Sequence, residues 1–265
     1  MLEFYHLREK PFSLLPNPRF MYLSEQYLET KAKVLYFLKD RSASLYLYGP
    51  IGCGKTSLLR LMAQEITEDP ETNAKYIIAP NLRTANQLLR LICDNFEVKT
   101  SRSYAGSLRN FEQFLIQQAK ESRFPLVLID EAQNLNRDEL KLIHYLLNFV
   151  SNEKVLLMIV LVGQPELAQR ISRFPSLRSR LVSSSVSEMT REDSQRMIEF
   201  RWSVASGNPR SSPPFSKKAY DTIYQITKGN PRQVVKLCHA ALLLGFLKKA
   251  RRITPKMVES ASNEL

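Results

Sequence analysis

A glycine-rich segment has the residue types and spacing of a phosphate-binding loop. It reads Gly49-Pro50-Ile51-Gly52-Cys53-Gly54-Lys55-Thr56, an intact GxxxxGK[ST] pattern. Glycines let the backbone curl so that its N–H groups surround phosphate oxygens. The lysine supplies charge to the β and γ phosphates, and the threonine hydroxyl suits Mg²⁺. We expect nucleotide to contact this loop and the first turn of the helix after it, at Gly49, Pro50, Ile51, Gly52, Cys53, Gly54, Lys55, Thr56 and Ser57.

Two carboxylates, Asp130 and Glu131, directly follow an apolar run at residues 126–129. A run that is continuous rather than alternating in polarity is typical of a buried strand in a parallel sheet. Open α/β sheets bind ligands outside the carboxyl ends of their strands. Asp130 is therefore predicted to hold Mg²⁺, together with Thr56, and Glu131 to activate the attacking water. A solvated strand end is the alternative for this pair taken alone.

Gln164 directly follows another apolar run, at residues 155–162. A polar amide at the end of such a strand can help to position water beside a γ-phosphate. The alternative interpretation is a turn that simply ends the strand.

Three arginines suit the stabilisation of phosphoryl-transfer charge. Arg178 and Arg180, within Leu177-Arg178-Ser179-Arg180-Leu181 and beyond the last predicted strand, suit a finger supplied to a neighbouring subunit. Arg232, within Gly229-Asn230-Pro231-Arg232, can reach phosphates from a helix start. The first two can instead be exposed solubilising residues, and Arg232 can instead pair with a carboxylate.

The elements that must position these residues alternate between strands and helices. Strands are predicted at residues 45–48, 76–79, 126–129 and 155–162, and helices at 55–66, 84–96 and 108–121. Asn136 and Glu139 form a capping-box pattern before a further helix. This alternation predicts an α/β fold: a parallel sheet covered by helices on both faces.

After about Thr190 the pattern contains only helices. Thr190 and Ser216 have the character of N-caps, Pro231 suits the first turn of a helix that runs toward Lys249, and Thr254 precedes a proline. We therefore predict two domains: a nucleotide-binding α/β domain at residues 1–187 and a helical lid at 188–265.

Bulk properties favour a cytoplasmic protein with a polyanionic partner. The net charge is +12 and the sequence pI is about 9.6, which is more positive than one nucleotide site requires and favours nucleic acid over an anionic membrane. The three cysteines show no metal-ligand spacing and suit a reducing compartment. Cys53 could be reactive inside the loop, but a small tolerated residue is the simpler interpretation. The sequence shows no signal peptide and no apolar run long enough for a bilayer.

Together, the glycine loop (Walker A), the acidic strand end (Walker B), Gln164, the arginine pair and residues 229–232 resemble the AAA+ ATPases. The opening string Arg8-Glu9-Lys10-Pro11-Phe12-Ser13, with Asn17-Pro18-Arg19-Phe20 and Gly163-Gln164-Pro165-Glu166-Leu167, resembles the ExeA-like branch. Neighbours of that branch regulate DNA transposition (the TnsC, TniB and MuB group).

The resemblance implies an oligomer, a ring or a helical filament, with ATP between subunits and Arg232 in the lid. It places the opening segment near adenine, with Phe20, Met21 and Tyr22 as wall residues. Secretion relatives often carry a histidine in the helix at residues 24–40, and this sequence has none there.

The first process hypothesis is a transposition regulator that assembles on duplex DNA with ATP and recruits transposase and target-selection proteins, with slow hydrolysis driving disassembly. Its phosphate contacts would be largely independent of sequence. A solvated helix face is the alternative for each candidate contact, namely Arg83, Arg90, Lys99, Arg102 and Arg109.

Two other functions stay open. The second is an ExeA-like secretion ATPase. Those relatives continue into a transmembrane helix and a cell-wall-binding domain, which would count against this reading because the chain ends at Leu265. The third is a nucleotide-switched binding module with little hydrolysis.

Overall fold

The computed structural model describes residues 1–15, 17–79, 82–151 and 154–264. The chain divides into two compact units. The sheet unit contains Tyr27–Gly49 and Leu58–Val186, and the helical unit contains Met1–Gln26, Pro50–Ser57 and Ser187–Leu265. The predicted division at residue 187 stays a prediction.

The sheet unit is built on five parallel strands with helices on both faces, as the alternating pattern predicted. The strands among the described residues are β1 (Ser44–Tyr48), β2 (Thr72–Ile78), β3 (Phe124–Asp130), β4 (Val150–Ser151), β5 (Lys154–Val155), β6 (Met158–Gly163) and β7 (Leu181–Ser185). The strand order in the sheet is β2-β3-β6-β1-β7.

Eleven α-helices occur in the described part of the chain. They are α1 (Glu25–Asp40), α2 (Lys55–Thr67), α3 (Ala85–Asn95), α4 (Tyr104–Lys120), α5 (Arg137–Leu146), α6 (Pro165–Ser172), α7 (Pro175–Arg178), α8 (Arg191–Ser206), α9 (Lys217–Thr227), α10 (Pro231–Leu247) and α11 (Pro255–Ser262).

The strand register brings three carboxyl ends to one edge of the sheet. Tyr48 at the end of β1 pairs with Gly163 at the end of β6. On the other side of β6, β3 ends at Asp130. Because all strands are parallel, the polar residues that follow β3 and β6 lie at the same edge, next to the start of the glycine loop after β1.

The central strands are apolar because both of their faces are covered. Every residue of β3 and of β6 is buried. On one face of the sheet, Val127, Ile129, Ile159 and Leu161 belong to the core packed by α3 to α7. Burial of each such side chain contributes about 1.5–3 kcal/mol relative to exposure. The apolar run at residues 126–129 lies entirely within β3.

Two strand predictions were wrong. Residues 155–162 do not form one strand: β4 and β5 pair antiparallel as a separate two-stranded element, and β6 begins only at Met158. In addition, Arg178 and Arg180 do not lie beyond the last strand, since β7 follows them and pairs with β1. The sequence of β7, LVSSS, lacks an apolar run because only Leu181 and Ser184 of this edge strand are buried.

Several element boundaries also differ from the prediction. Strand β2 starts four residues earlier than predicted, at Thr72, because an edge strand tolerates polar residues such as Asn73 and Lys75. Helix α4 begins at Tyr104 instead of Leu108, and the Ser103 hydroxyl caps it. Helix α10 ends at Leu247, two residues before Lys249.

The predicted helix caps are largely confirmed. Asn136 and Glu139 form a complete capping box at the start of α5. The side chains of Thr190 and Ser216 accept backbone N–H bonds at α8 and α9. Thr254 occupies the predicted N-cap of α11, but its side chain makes no capping hydrogen bond.

In the helical unit, Arg201 of α8 holds the N-terminal segment. Its guanidinium donates to the carbonyl oxygens of Pro11, Phe20 and Ser13 at 2.9, 3.1 and 3.0 Å, and it lies over the Phe20 ring at 5.2 Å. Burial lowers the pKa of Arg201 to about 10. The opening string that carried the family resemblance is therefore held against α8 by a partly buried cation whose hydrogen bonds go to backbone carbonyl groups.

Candidate nucleotide site

In the helical unit, the loop Pro50–Ser57 has the backbone shape that its glycines predict. Gly52 and Gly54 have φ angles of 85° and 77°, in the left-handed region that favours glycine. The loop leads into α2, which begins at Lys55. The Lys55 ammonium donates to the Pro50 carbonyl at 2.7 Å, so its charge stays over the loop from which it arises.

Cys53 is fully buried within this loop. Burial, with a further contribution from the negative charge of Glu188, raises the pKa of its thiol to about 11. A thiol with such a pKa stays protonated near neutral pH and is a poor nucleophile. This favours the interpretation of Cys53 as a small packed residue over that of a reactive one.

Residues 229–232 contact the loop directly. The Asn230 side-chain amide donates to the Ile51 carbonyl at 2.8 Å, and the backbone N–H of Arg232 donates to the Gly52 carbonyl at 3.2 Å. A Cβ on Gly52 would lie 2.5 Å from Asn230 Oδ1. The loop and the start of α10 therefore fit together only with glycine at this position, while the Arg232 side chain is exposed.

In the sheet unit, Asp130 ends β3 as a buried carboxylate. Its Oδ2 accepts the Tyr76 hydroxyl at 2.9 Å, and its Oδ1 accepts the backbone N–H of Glu131 at 2.9 Å. Mg²⁺ takes oxygen ligands and usually retains several waters together with substrate phosphates. The carboxylate of Asp130 offers an oxygen ligand of that kind. The described residues contain no group of three or more His, Cys, Asp or Glu side chains that could hold a metal ion.

Glu131 and Gln164 lie at the ends of neighbouring strands and share one partner. Glu131 has a left-handed backbone, with φ of 53°. The Gln133 side chain donates from Nε2 to Glu131 Oε2 at 2.6 Å, and its Oε1 accepts the backbone N–H of Gln164 at 3.0 Å. The predicted base and the predicted sensor position are thus connected through a residue that the motif analysis did not single out.

Arg178 ends α7, and Arg180 directly precedes β7. Both side chains are exposed, and neither makes an ion pair within the described parts of the chain. They are therefore accessible to a second molecule, and their role as an arginine finger stays a prediction.

The predicted adenine-wall residues Phe20 and Tyr22 belong to the N-terminal segment and contact α8 in the helical unit. Phe20 is buried beneath Arg201. Tyr22 donates to Asp193 at 3.1 Å and lines an open cavity of about 370 Å³ with Phe200 and Pro213. Phe20 has little ring surface free, so Tyr22 is the better candidate of the two, and both assignments stay predictions.

The five cations predicted to contact DNA are all exposed around α3 and α4. None of them forms an ion pair in residues 1–15, 17–79, 82–151 and 154–264. Their charges are therefore not neutralised by neighbouring carboxylates. The set is Arg83, Arg90, Lys99, Arg102 and Arg109.

A protein-family model described as an AAA domain matches residues 39–171, which is half of the 265-residue chain. The chain therefore belongs to the AAA family, whose members are ATPases. General secretion pathway protein A of Aeromonas hydrophila is 33% identical over 270 residues, covering 99% of this chain and 48% of that protein. The chain thus spans about half the length of this relative.

Solved structures of similar fold include the Aeropyrum pernix ORC2 protein in ADPNP–ADP complexes, with a TM-score of 0.70 and 16% identity over 96% of this chain and 71% of that one. The Aeropyrum pernix ORC1 protein in complex with DNA has a TM-score of 0.70 and 18% identity, over 98% of this chain and 70% of that one. At such identities the likeness is one of fold. Within the described residues, no helix combines the length and the apolar character needed to cross a bilayer.

Three residues that hydrogen-bond to predicted site residues were not predicted from the sequence: Tyr76, Gln133 and Asn230. Asn230 lies inside a string that was recognised for its arginine, and Gln133 lies two residues after Glu131. A search for amide side chains next to each predicted site residue would have found both. Tyr76 lies far from Asp130 along the chain, so only the pairing of β2 with β3 reveals its role.

Proposed function

We propose that this protein binds ATP with Mg²⁺ at the glycine loop and hydrolyses it to ADP and phosphate. The observation that carries the proposal is the loop itself: two glycines with positive φ, followed by a helix that begins at the motif lysine. Its N–H groups and the helix N-terminus favour phosphate oxygens. Lys55 stabilises the β and γ phosphates, and Thr56 and Asp130 hold Mg²⁺.

In the proposed reaction, Glu131 accepts a proton from water as the water oxygen bonds to the γ-phosphorus. The bond from that phosphorus to the bridging oxygen breaks, and ADP leaves. Gln164 helps to orient the water, and Arg232 contacts phosphate from the start of α10. An arginine from a neighbouring copy, with Arg180 ahead of Arg178, stabilises the developing charge in a ring or filament.

The test of this activity is phosphate release by the wild-type protein and by two variants, with nucleotide affinity measured in parallel. Lys55→Ala should lose nucleotide affinity because it removes the loop cation. Glu131→Gln should retain ATP and lose about 100-fold or more in rate, within the usual range for a general base. Exposed Glu68→Gln is the matched control. Equal rates for Glu131→Gln and the wild type would rule out this mechanism.

For the biological process, we propose an ATPase of a secretion pathway. Support comes from the 33% identity to general secretion pathway protein A, which extends over 99% of the chain. The test is genetic: Lys55→Ala and Glu131→Gln should each block secretion in the source organism, and Glu68→Gln should not. Normal secretion by a strain that lacks the protein would exclude this process.

A second candidate is the DNA-assembled regulator of transposition, which would recruit a transposase and target-selection proteins. The charge of +12 favours it, as do five exposed cations around α3 and α4 that form no ion pair with any described residue. A protein of similar fold is known in complex with DNA. Fluorescence anisotropy on random duplex DNA should then show binding that a non-hydrolysable ATP analogue strengthens and that weakens steeply with salt. Absence of binding in every nucleotide state would exclude this candidate and leave the ATPase proposal intact. DNA binding with a negligible hydrolysis rate would instead favour a nucleotide-switched module.

A further inference from the structure

The side chain of Gln133 occupies a position between two strand ends. Gln133 belongs to a short 3₁₀ helix, Ala132–Asn134, directly after Glu131. Its amide bonds the Glu131 carboxylate at 2.6 Å and the backbone N–H of Gln164 at 3.0 Å. These two partners dictate the orientation of the amide, because an N–H can meet only its oxygen and a carboxylate can meet only its NH₂ group.

The surroundings of Gln133 restrict where this amide can lie. Ala132, its neighbour in the 3₁₀ helix, is fully buried. At the end of β6, a Cβ on Gly163 would lie 2.7 Å from Gln133 Oε1 and 3.1 Å from the Gln133 backbone nitrogen. The φ angle of Gly163 lies outside the left-handed region. Glycine is therefore needed there for the close approach of Gln133 and not for backbone conformation.

We propose that Gln133 is a positioning residue that ties the Glu131 carboxylate to the end of β6, where Gln164 begins. The proposal deepens the ATPase function and rests on it. By donating to one carboxylate oxygen, Gln133 restricts the rotation of Glu131 and leaves Oε1 as the oxygen that receives the proton of the attacking water. Because its other end binds the Gln164 backbone, a displacement of Gln164 changes the orientation of the base.

Two substitutions of Gln133 test its hydrogen bond to Glu131 with and without its hydrogen bond from the Gln164 N–H. Gln133→Glu retains an acceptor for the Gln164 N–H but sets a carboxylate against Glu131, whereas Gln133→Leu removes both bonds at similar volume. Each variant should lower kcat about 10-fold, equivalent to about 1.4 kcal/mol of transition-state stabilisation. The dissociation constant for ATP should change less than about twofold, since Gln133 stabilises a geometry and not the bound nucleotide.

The matched control is Gln117→Leu, which removes another amide-to-carboxylate bond, from exposed Gln117 to Glu121 at 2.8 Å.

A further variant tests the Gln133 amide without changing Gln133 itself. Gly163→Ala should displace Gln133 Oε1 and lower kcat. The double variant, with Gly163→Ala and Gln133→Leu, should have nearly the same kcat as Gln133→Leu alone, because both changes act through the same side chain. Fully additive losses would show that Gly163 acts by another route and would overturn the connection.

A readout independent of catalysis uses urea unfolding of Glu131→Ala, Gln133→Ala and the double variant. If the two side chains interact, the double variant should lose a different amount of unfolding free energy from the sum of the two single losses. Additive losses would overturn the proposal whether or not the protein hydrolyses ATP. If Glu131→Gln abolishes hydrolysis while Gln133→Leu keeps the wild-type kcat, the ATPase function stands and the positioning role of Gln133 fails.

Discussion

Tyr76 of β2 donates its hydroxyl hydrogen to Asp130 Oδ2 at the end of β3, over 2.9 Å. The other oxygen of this buried carboxylate accepts the backbone N–H of Glu131 at 2.9 Å. Burial is the main cause that raises the pKa of Tyr76, and the negative charge of Asp130 adds to it. The phenol therefore stays protonated and available as a donor over the whole physiological pH range.

Replacement of Tyr76 by phenylalanine should destabilise the sheet unit. It leaves one oxygen of a buried carboxylate without its donor, which costs about 1–3 kcal/mol. Urea unfolding measures the loss. Tyr46→Phe is the matched control, since Tyr46 stacks on Tyr48 in β1 and its hydroxyl makes no hydrogen bond within the described residues. Equal stability of Tyr76→Phe and Tyr46→Phe would contradict the role of this bond.

The core strands and the chemistry of the loops were predictable from the sequence because each depends on local pattern. Strands β3 and β6 are covered on both faces, so they are almost entirely apolar. The loop at residues 49–56 requires glycine at fixed spacing, and Gly52 and Gly54 do have positive φ. In both cases the physical requirement falls on a short contiguous stretch, which one sequence is enough to reveal.

What the sequence did not predict depends on neighbours that are distant along the chain. Strand β7 has no apolar run and is a strand because its backbone pairs with β1. The roles of Tyr76 and Asn230 arise where β2 pairs with β3 and where α10 begins at the loop. Gln133 is close to Glu131 in sequence, but its second partner, Gln164, is 31 residues away. An amide next to a predicted site residue can be noticed in the sequence, but the sequence does not reveal which distant group it contacts.

Glu139 gives a prediction for the pH dependence of stability. Its side chain is fully buried in α5, and burial raises the pKa of its carboxyl. The folded state therefore binds this proton more tightly than the unfolded state, so the contribution of Glu139 to stability falls as pH rises above its unfolded pKa. Glu139→Gln keeps an acceptor for the Asn136 N–H and removes the titration. Its stability relative to the wild type should increase from about pH 4 to about pH 7.

Urea midpoints across that pH range measure this difference, with exposed Glu68→Gln as the control. A constant difference between Glu139→Gln and the wild type at every pH would contradict the prediction.

Asn230 should contribute to nucleotide affinity although its side chain bonds only protein groups. Its amide donates to the Ile51 carbonyl at 2.8 Å, and its Oδ1 accepts the backbone N–H of Gln233 at 3.3 Å. Asn230→Ala removes both bonds and makes the loop less ordered before nucleotide binds. Part of the binding free energy is then used to order the loop, which lowers the affinity. We expect ATP affinity to fall about 5- to 20-fold, which corresponds to about 1–2 kcal/mol.

Isothermal titration with a non-hydrolysable ATP analogue measures this change. Asn110→Ala is the control, because the Asn110 amide donates to the carbonyl of Lys99, within the sheet unit, over the same distance of 2.8 Å. Unchanged affinity in Asn230→Ala, with its fold intact by circular dichroism, would refute the role of this contact.

The exposed arginines before β7 allow a test of assembly. If Arg180 completes the site of a neighbouring copy, Arg180→Ala should bind ATP normally and lose about 10³-fold in rate or more, as loss of an arginine finger typically does. The Arg180→Ala and Glu131→Gln proteins would each be inactive alone. Mixed, they should recover activity wherever an intact Glu131 meets a neighbour with an intact Arg180. Arg178→Ala, tested in the same way, decides between the two arginines, and exposed Arg173→Ala is the control. If the mixture stays inactive although analytical ultracentrifugation shows the two variants in one assembly, Arg180 acts within its own chain or not at all.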